Sequence, residues 1–112
     1  MLFLVLDEVK IAFVEPEMSL AQITVLKQTF ELYEEMKNKG KLKFCYAFAD
    51  FPGGVCVWDV ESNEELQHIL FLLPSMPLVK RTVRPLTEMK SVSEIINELE
   101  SLISSMPKQD SN

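Results

Sequence analysis

Two hydrophobic rhythms divide the chain. Residues 2–10 are apolar on both alternating faces, with Leu2, Leu4 and Leu6 on one and Phe3, Val5 and Val9 on the other. A strand covered on both sides carries this pattern. Residues 12–18, punctuated by Pro16, read as a loop, and Ser19 is placed to cap a helix through the free amides of its first turn. Leu20, Ile23, Leu26, Phe30 and Tyr33 then recur at helical spacing, with Lys27, Glu31, Glu34 and Lys37 elsewhere around the helix. Gly40 suits a left-handed helix end.

The second strand spans residues 41–50. Strict alternation puts Leu42, Phe44, Tyr46 and Phe48 on a bulky face and Cys45, Ala47 and Ala49 on a small one. Phe51-Pro52-Gly53-Gly54 is a turn, and residues 55–60 form a third strand. Ser62 and Glu65 have capping-box spacing, and Leu66, Ile69, Leu70 and Leu73 give the second helix its apolar stripe before Pro74. Residues 77–86 make a fourth strand whose charges and prolines suit a sheet edge. Residues 91–106 form a third helix, with Val92, Ile95, Ile96, Leu99, Leu102, Ile103 and Met106 in one stripe. Residues 107–112 read as a disordered polar tail.

The order β-α-β-β-α-β is the split βαβ, or ferredoxin-like, arrangement, an α+β fold with an extra C-terminal helix. Right-handed crossovers place the first and third strands centrally. One domain over residues 1–106 accounts for the pattern, with residues 91–106 as an appended helix. The helices of this fold cover one sheet face, yet the strands are apolar on both. A homodimer or larger homo-oligomer, its sheets packed face to face, is the expectation.

Charge narrows the partners. Acidic residues outnumber basic ones 17 to 11, for a net charge of −6. Nucleic-acid binding calls for the opposite sign, and no apolar run reaches the roughly 18 residues of a membrane span. The N-terminal stretch lacks a basic leader and a cleavage site, so a cytoplasmic protein is expected. Cys45 and Cys56 belong to no metal-ligand motif and read as buried free thiols, with a hairpin disulfide as the minority alternative. No metal or cofactor is implied.

Candidate chemistry is sparse. His68, the only histidine, points away from its helix's apolar stripe. Asp7 sits near the end of the first strand, where a carboxylate beside an apolar pocket gains basicity and can act as a base. Tyr46 stands among bulky residues as a core tyrosine or a pocket donor. Trp58 belongs to the core or an interface. Arg81 and Arg84 fall on opposite faces of the edge strand, where one could meet an anionic group.

Several blocks together resemble the muconolactone isomerase family. They are Met1-Leu2-Phe3-x-Val5, the run from Val57 to Leu66, Leu72-Leu73-Pro74 with Pro77, and Val83-x-Pro85-Leu86. The resemblance covers about residues 1–87. It implies a dimeric α/β barrel, assembled further into rings, and a cofactor-free proton shift in an unsaturated lactone. The chain departs from that family where it has Leu4 in place of a His. Leu42-Lys43-Phe44-Cys45-Tyr46 replaces a run rich in Trp, Arg and His, and Lys27-Gln28-Thr29-Phe30 keeps only Lys27 of the first helix's charged residues. These departures turn a polar pocket apolar and weigh against muconolactone itself as substrate.

Two functional readings follow. In the first, the protein binds or isomerises a small apolar organic molecule, with Asp7 and Tyr46 as the catalytic pair and Lys27, Phe44, Phe48, Trp58 and Arg81 contacting the ligand. In the second, it is a non-enzymatic dimeric binding or assembly module that acts through its C-terminal helix and acidic surface.

Overall fold

The computed structural model describes residues 1–10 and 15–108. Its elements are β1 (Leu2–Val9), α1 (Pro16–Asn38), β2 (Leu42–Ala47), β3 (Gly53–Asp59), α2 (Asn63–Leu72), β4 (Val79–Leu86) and α3 (Met89–Ser104). The strands form one antiparallel sheet in the order β2-β3-β1-β4, so the two most apolar strands are central. This is the α+β, ferredoxin-like arrangement that the sequence predicts.

Register decides what each face carries. Phe3, Val5 and Asp7 of β1 stand opposite Trp58, Cys56 and Gly54 of β3 and Pro85, Val83 and Arg81 of β4. Residues directly opposite share a face. Phe3, Val5, Cys56 and Trp58 are buried there under α2's Leu66, Ile69 and Leu70, with Leu73 just beyond the helix. Leu32, Tyr33 and Met36 of α1 pack on the same core, and Tyr33 meets Trp58 edge-on at 6.0 Å. Leu2, Leu4, Leu6, Val55 and Val57 occupy the other face, which none of the described helices covers.

Four expectations need correction. β2 does not alternate strictly. Leu42 pairs with Trp58 and Phe44 with Val57, so Lys43 is an extra, bulged residue. The bulge turns Leu42 and Cys45 toward the helices and leaves Phe44 and Tyr46 on the uncovered face, 57% and 65% exposed. Second, α1 begins at Pro16, not after Ser19, because proline is pre-shaped for a helix's first turn; Glu15 holds the cap position. Residues 12–14 of the expected loop lie outside the described residues. Third, α1 buries Thr29 and leaves Leu20, Ile23 and Phe30 exposed. A 23-residue helix runs about 34 Å, longer than the roughly 27 Å of an eight-residue strand, so its first turns overhang the sheet. Fourth, β4 starts at Val79, after a short 3₁₀ turn at Met76–Leu78.

The second helix follows its sequence signals closely. Ser62 accepts a hydrogen bond from the Glu65 amide at 3.1 Å, and Glu65 Oε2 accepts one from the Glu61 amide at 3.0 Å. Glu65 also ion-pairs with Lys41. That hydrogen bond, helped by the Glu61 amide, holds the Glu65 carboxyl below its ordinary value of 4.5.

The third helix, expected from residue 91, starts at Met89 and buries none of its residues. The radius of gyration is 20.8 Å, against about 13 Å for a compact chain of this length. The helix therefore projects from the domain rather than closing over it.

Glycine is required at the hairpin. Gly53 has φ +154°, and a Cβ there would strike the Asp7 carbonyl oxygen; Gly40 has φ +75° with open space around it. Gly40→Ala is expected to cost about 1–2 kcal/mol, and Gly53→Ala clearly more, as urea denaturation midpoints will show. Glu65 supplies an acid-side test. A lowered folded-state value means its contribution is complete above pH 4.5 and is lost as the pH falls through the folded value. Below pH 4.5 a Glu65→Gln protein should therefore lose stability less steeply than the wild type.

Candidate functional site

The most polar contact within the core is an ion pair between central β1 and edge β4. Asp7 and Arg81 stand opposite each other in the sheet register. Arg81 Nε donates to Asp7 Oδ1 at 2.7 Å and Nη2 to Oδ2 at 3.0 Å, a bidentate fork. The third guanidinium nitrogen, Nη1, donates to the Leu70 carbonyl at 3.3 Å, in the last turn of α2. A cation there also meets the negative end of the helix dipole. Both side chains are about nine-tenths buried, at 12% and 13% exposure. A charge taken from water at this depth needs such pairing.

The pair separates two cavities. Arg81 borders an open groove of about 560 Å³ between α2 and β4, walled by Phe3, Leu66, Leu70, Phe71, Met76 and Val83. Asp7 borders a second, more enclosed pocket of about 310 Å³ beneath the middle of α1, at the hairpin end of the sheet. Leu26, Phe30, Phe48, Phe51 and Val79 give it an apolar lining, and Tyr33, Cys45, Cys56 and Ser75 add polar groups. The smaller pocket is the better candidate site. It combines a buried carboxylate, a phenol and two thiols within apolar walls, as small-molecule sites do.

Neighbouring groups set the protonation of that wall. Burial pushes the Tyr33 hydroxyl far above its ordinary value of 10.0, and the negative charges that Cys56 and Asp7 can carry push it further. Tyr33 is thus a neutral hydrogen-bond donor at ordinary pH. Cys45 and Cys56 are free thiols whose sulfurs lie 3.0 Å apart. The hydrogen bond between them lowers the Cys45 thiol against the opposing effect of burial, and Lys37 assists. The same hydrogen bond, then burial, raises Cys56.

The residues predicted from sequence scatter. Asp7 and Phe48 line the 310 Å³ pocket, and Arg81 reaches it through Asp7. Tyr46 borders the pocket, but the register sets its side chain with Leu6 and Val55 on the uncovered face. Phe44 stands on that face too, clear of the pocket. Trp58 is 1% exposed and belongs to the core. Lys27 is exposed on α1, outside the pocket lining, and His68 is exposed on α2. Tyr33, Cys45, Cys56 and Ser75 had no place in the predicted site. Tyr33 carried a signal, a polar tip at the end of α1's apolar stripe. The thiols' convergence follows from the hairpin register that pairs Cys45 with Cys56 directly, which their spacing suggests only as a minority disulfide.

Among the described residues no three His, Cys, Asp or Glu side chains gather in a group able to hold a metal ion, and no helix is long and apolar enough to cross a membrane.

The fold and pocket define an α+β, ferredoxin-like protein with a cavity of small-molecule size. The family model for muconolactone delta-isomerase matches residues 1–92. The chain belongs to the muconolactone delta-isomerase family. A crystal structure of muconolactone isomerase is 28% identical, with a TM-score of 0.69, covering 79% of this chain and 90% of its own. A 5-chloro-2-hydroxyhydroquinone dehydrochlorinase from Burkholderia phenoliruptrix, in complex with 2,5-dihydroxybenzoquinone, shares the fold at 17% identity, with a TM-score of 0.59 and coverage of 79% and 95%. Comparison with the curated proteins gives no match.

The ion pair is testable by a double-mutant cycle. Arg81→Met strands the Asp7 carboxylate and is expected to cost about 3–5 kcal/mol. Asp7→Asn combined with Arg81→Met removes both charges and should recover much of that loss in urea unfolding.

Proposed function

We propose that this protein binds a small, largely apolar ring compound in the 310 Å³ pocket and shifts a proton on it without a cofactor. One observation carries the reading: a buried carboxylate, fixed by a bidentate arginine, stands in the wall of an otherwise apolar pocket. A proton shift needs a base held beside an acidic carbon and a group to support the charge that develops. Asp7 is the base. Arg81 occupies one lone pair on each of its oxygens, and each oxygen retains capacity for a further contact. Tyr33, held neutral, is the donor to a developing enolate. Family membership supports the reaction class. The apolar lining supports a ligand with less charge than the muconolactone in the family's name.

The working unit we propose is a homodimer or larger homo-oligomer. Leu2, Leu4, Leu6, Phe44, Tyr46, Val55 and Val57 make the uncovered sheet face more apolar than a monomer ordinarily leaves open. A second sheet packed against it would cover them.

A second reading, a non-enzymatic assembly module, is favoured by α3. Its stripe of Ile95, Ile96, Leu99, Leu102 and Ile103 is exposed along its whole length. Such a helix has its apolar surface available for another chain.

Proton transfer can be followed by deuterium uptake from heavy water into α-angelica lactone, an unsaturated lactone without a carboxylate. The protein should speed the exchange, and Asp7→Asn should reduce that acceleration by about 100-fold or more, with folding checked by circular dichroism. Wild-type protein that leaves exchange at the buffer rate rules out the enzymatic reading for this lactone class. Assembly is read by light scattering. A mass of 12.9 kDa, that of one chain, excludes the homo-oligomer. Removal of residues 89–112 should leave the sheet-mediated assembly intact under the first reading and dissolve the assembly under the second.

A further inference from the structure

We propose that Cys45 and Cys56 form a redox-active dithiol in the pocket wall, one that small hydroperoxides close to a disulfide. The two residues are direct partners across β2 and β3, and their Sγ atoms lie 3.0 Å apart. A disulfide needs a further approach of only about 1 Å. Both thiols line the 310 Å³ cavity, Cys45 half-buried and Cys56 buried. A hydroperoxide fits a cavity of this size, whereas a bulky peptide disulfide does not.

Chemistry divides the roles between the sulfurs. Cys45 is the more accessible, and the hydrogen bond with Cys56 favours its thiolate, the reactive form. Lys37 assists, while Asp7 and Glu34 oppose. Cys56 keeps its proton, because the shared hydrogen bond and burial both raise it. The Cys45 thiolate attacks one peroxide oxygen and breaks the O–O bond. The departing alkoxide takes up the proton that Cys45 released, leaving Cys45 as a sulfenic acid. The Cys56 sulfur then attacks the Cys45 sulfur. The S–O bond breaks, and hydroxide leaves with the Cys56 proton as water. Two thiols and one hydroperoxide thus give a disulfide, an alcohol and water; for hydrogen peroxide the alcohol is a second water. A dithiol reductant reverses the closure. Strands set Cβ atoms about 4.5–5.5 Å apart, slightly wider than the roughly 3.5–4.5 Å of a disulfide. Closure therefore pulls the hairpin together, which keeps the bond readily reducible.

Closure of the disulfide does not require proton transfer by Asp7, which shares the pocket wall with both thiols. The full-length native protein is treated with hydrogen peroxide and then alkylated, and its intact mass and peptide map are recorded. Both thiols should disappear together into an intrachain link between residues 45 and 56, and dithiothreitol should restore them. Cys56→Ser should instead accumulate a dimedone-reactive sulfenic acid at Cys45, and Cys45→Ser should oxidise about tenfold more slowly or less. If both wild-type thiols remain alkylatable after peroxide, or link only between chains, the proposal fails. The wild-type result decides this without any variant having to fold.

Discussion

The Asp7–Arg81 ion pair is the constraint around which the rest is arranged. It joins the central strand β1 to the edge strand β4 and, through the Leu70 carbonyl, to the end of α2. An edge strand rich in charge is held to its sheet by backbone bonds on one side alone. Here one of its charges turns inward and becomes an anchor. A buried pair of this kind is seldom the most stabilising solution available, since apolar side chains of similar volume often match it. Its value lies in specificity, because β4 satisfies the carboxylate in one register. The same fork leaves a carboxylate fixed in an apolar wall, so the element that secures the fold also holds the base of the proposed reaction.

Much of the fold was legible from local signals. The stripe at Leu66, Ile69, Leu70 and Leu73, its Ser62 cap and the strand order all follow from periodicity and crossover handedness. The site was legible only in part. Asp7 stood out because a carboxylate interrupted an apolar strand, and Arg81 because its face could be counted from the strand's alternation. Their pairing could not be read, since it depends on a register between residues far apart in sequence. Leu42 shows a different limit. Strand alternation tells which residues share a face, but a bulge resets the count, and a single sequence does not mark where one occurs.

The uncovered sheet face and the projecting helix are two answers to one problem. A chain of 112 residues has little interior for the apolar residues it carries. The domain buries one sheet face with α1 and α2, and leaves the other face and all of α3 unburied. The family model ends at residue 92, within α3, so most of that helix lies beyond the segment shared with the family. The apolar surface added there is additional to the apolar sheet face.

The bulge at Lys43 acts as a parity device. On one side of it, odd and even positions of β2 mean inward and outward; on the other, the meanings are exchanged. Continued without the bulge, the register that runs from the turn through Cys45 and Phe44 would set Lys43 opposite Trp58 in the core and carry Leu42 out to the uncovered face. The thiols lie on the turn side of the bulge and face each other in either case. One inserted residue, itself in contact with neither pocket, therefore determines that a leucine and not a lysine closes the core beside Trp58.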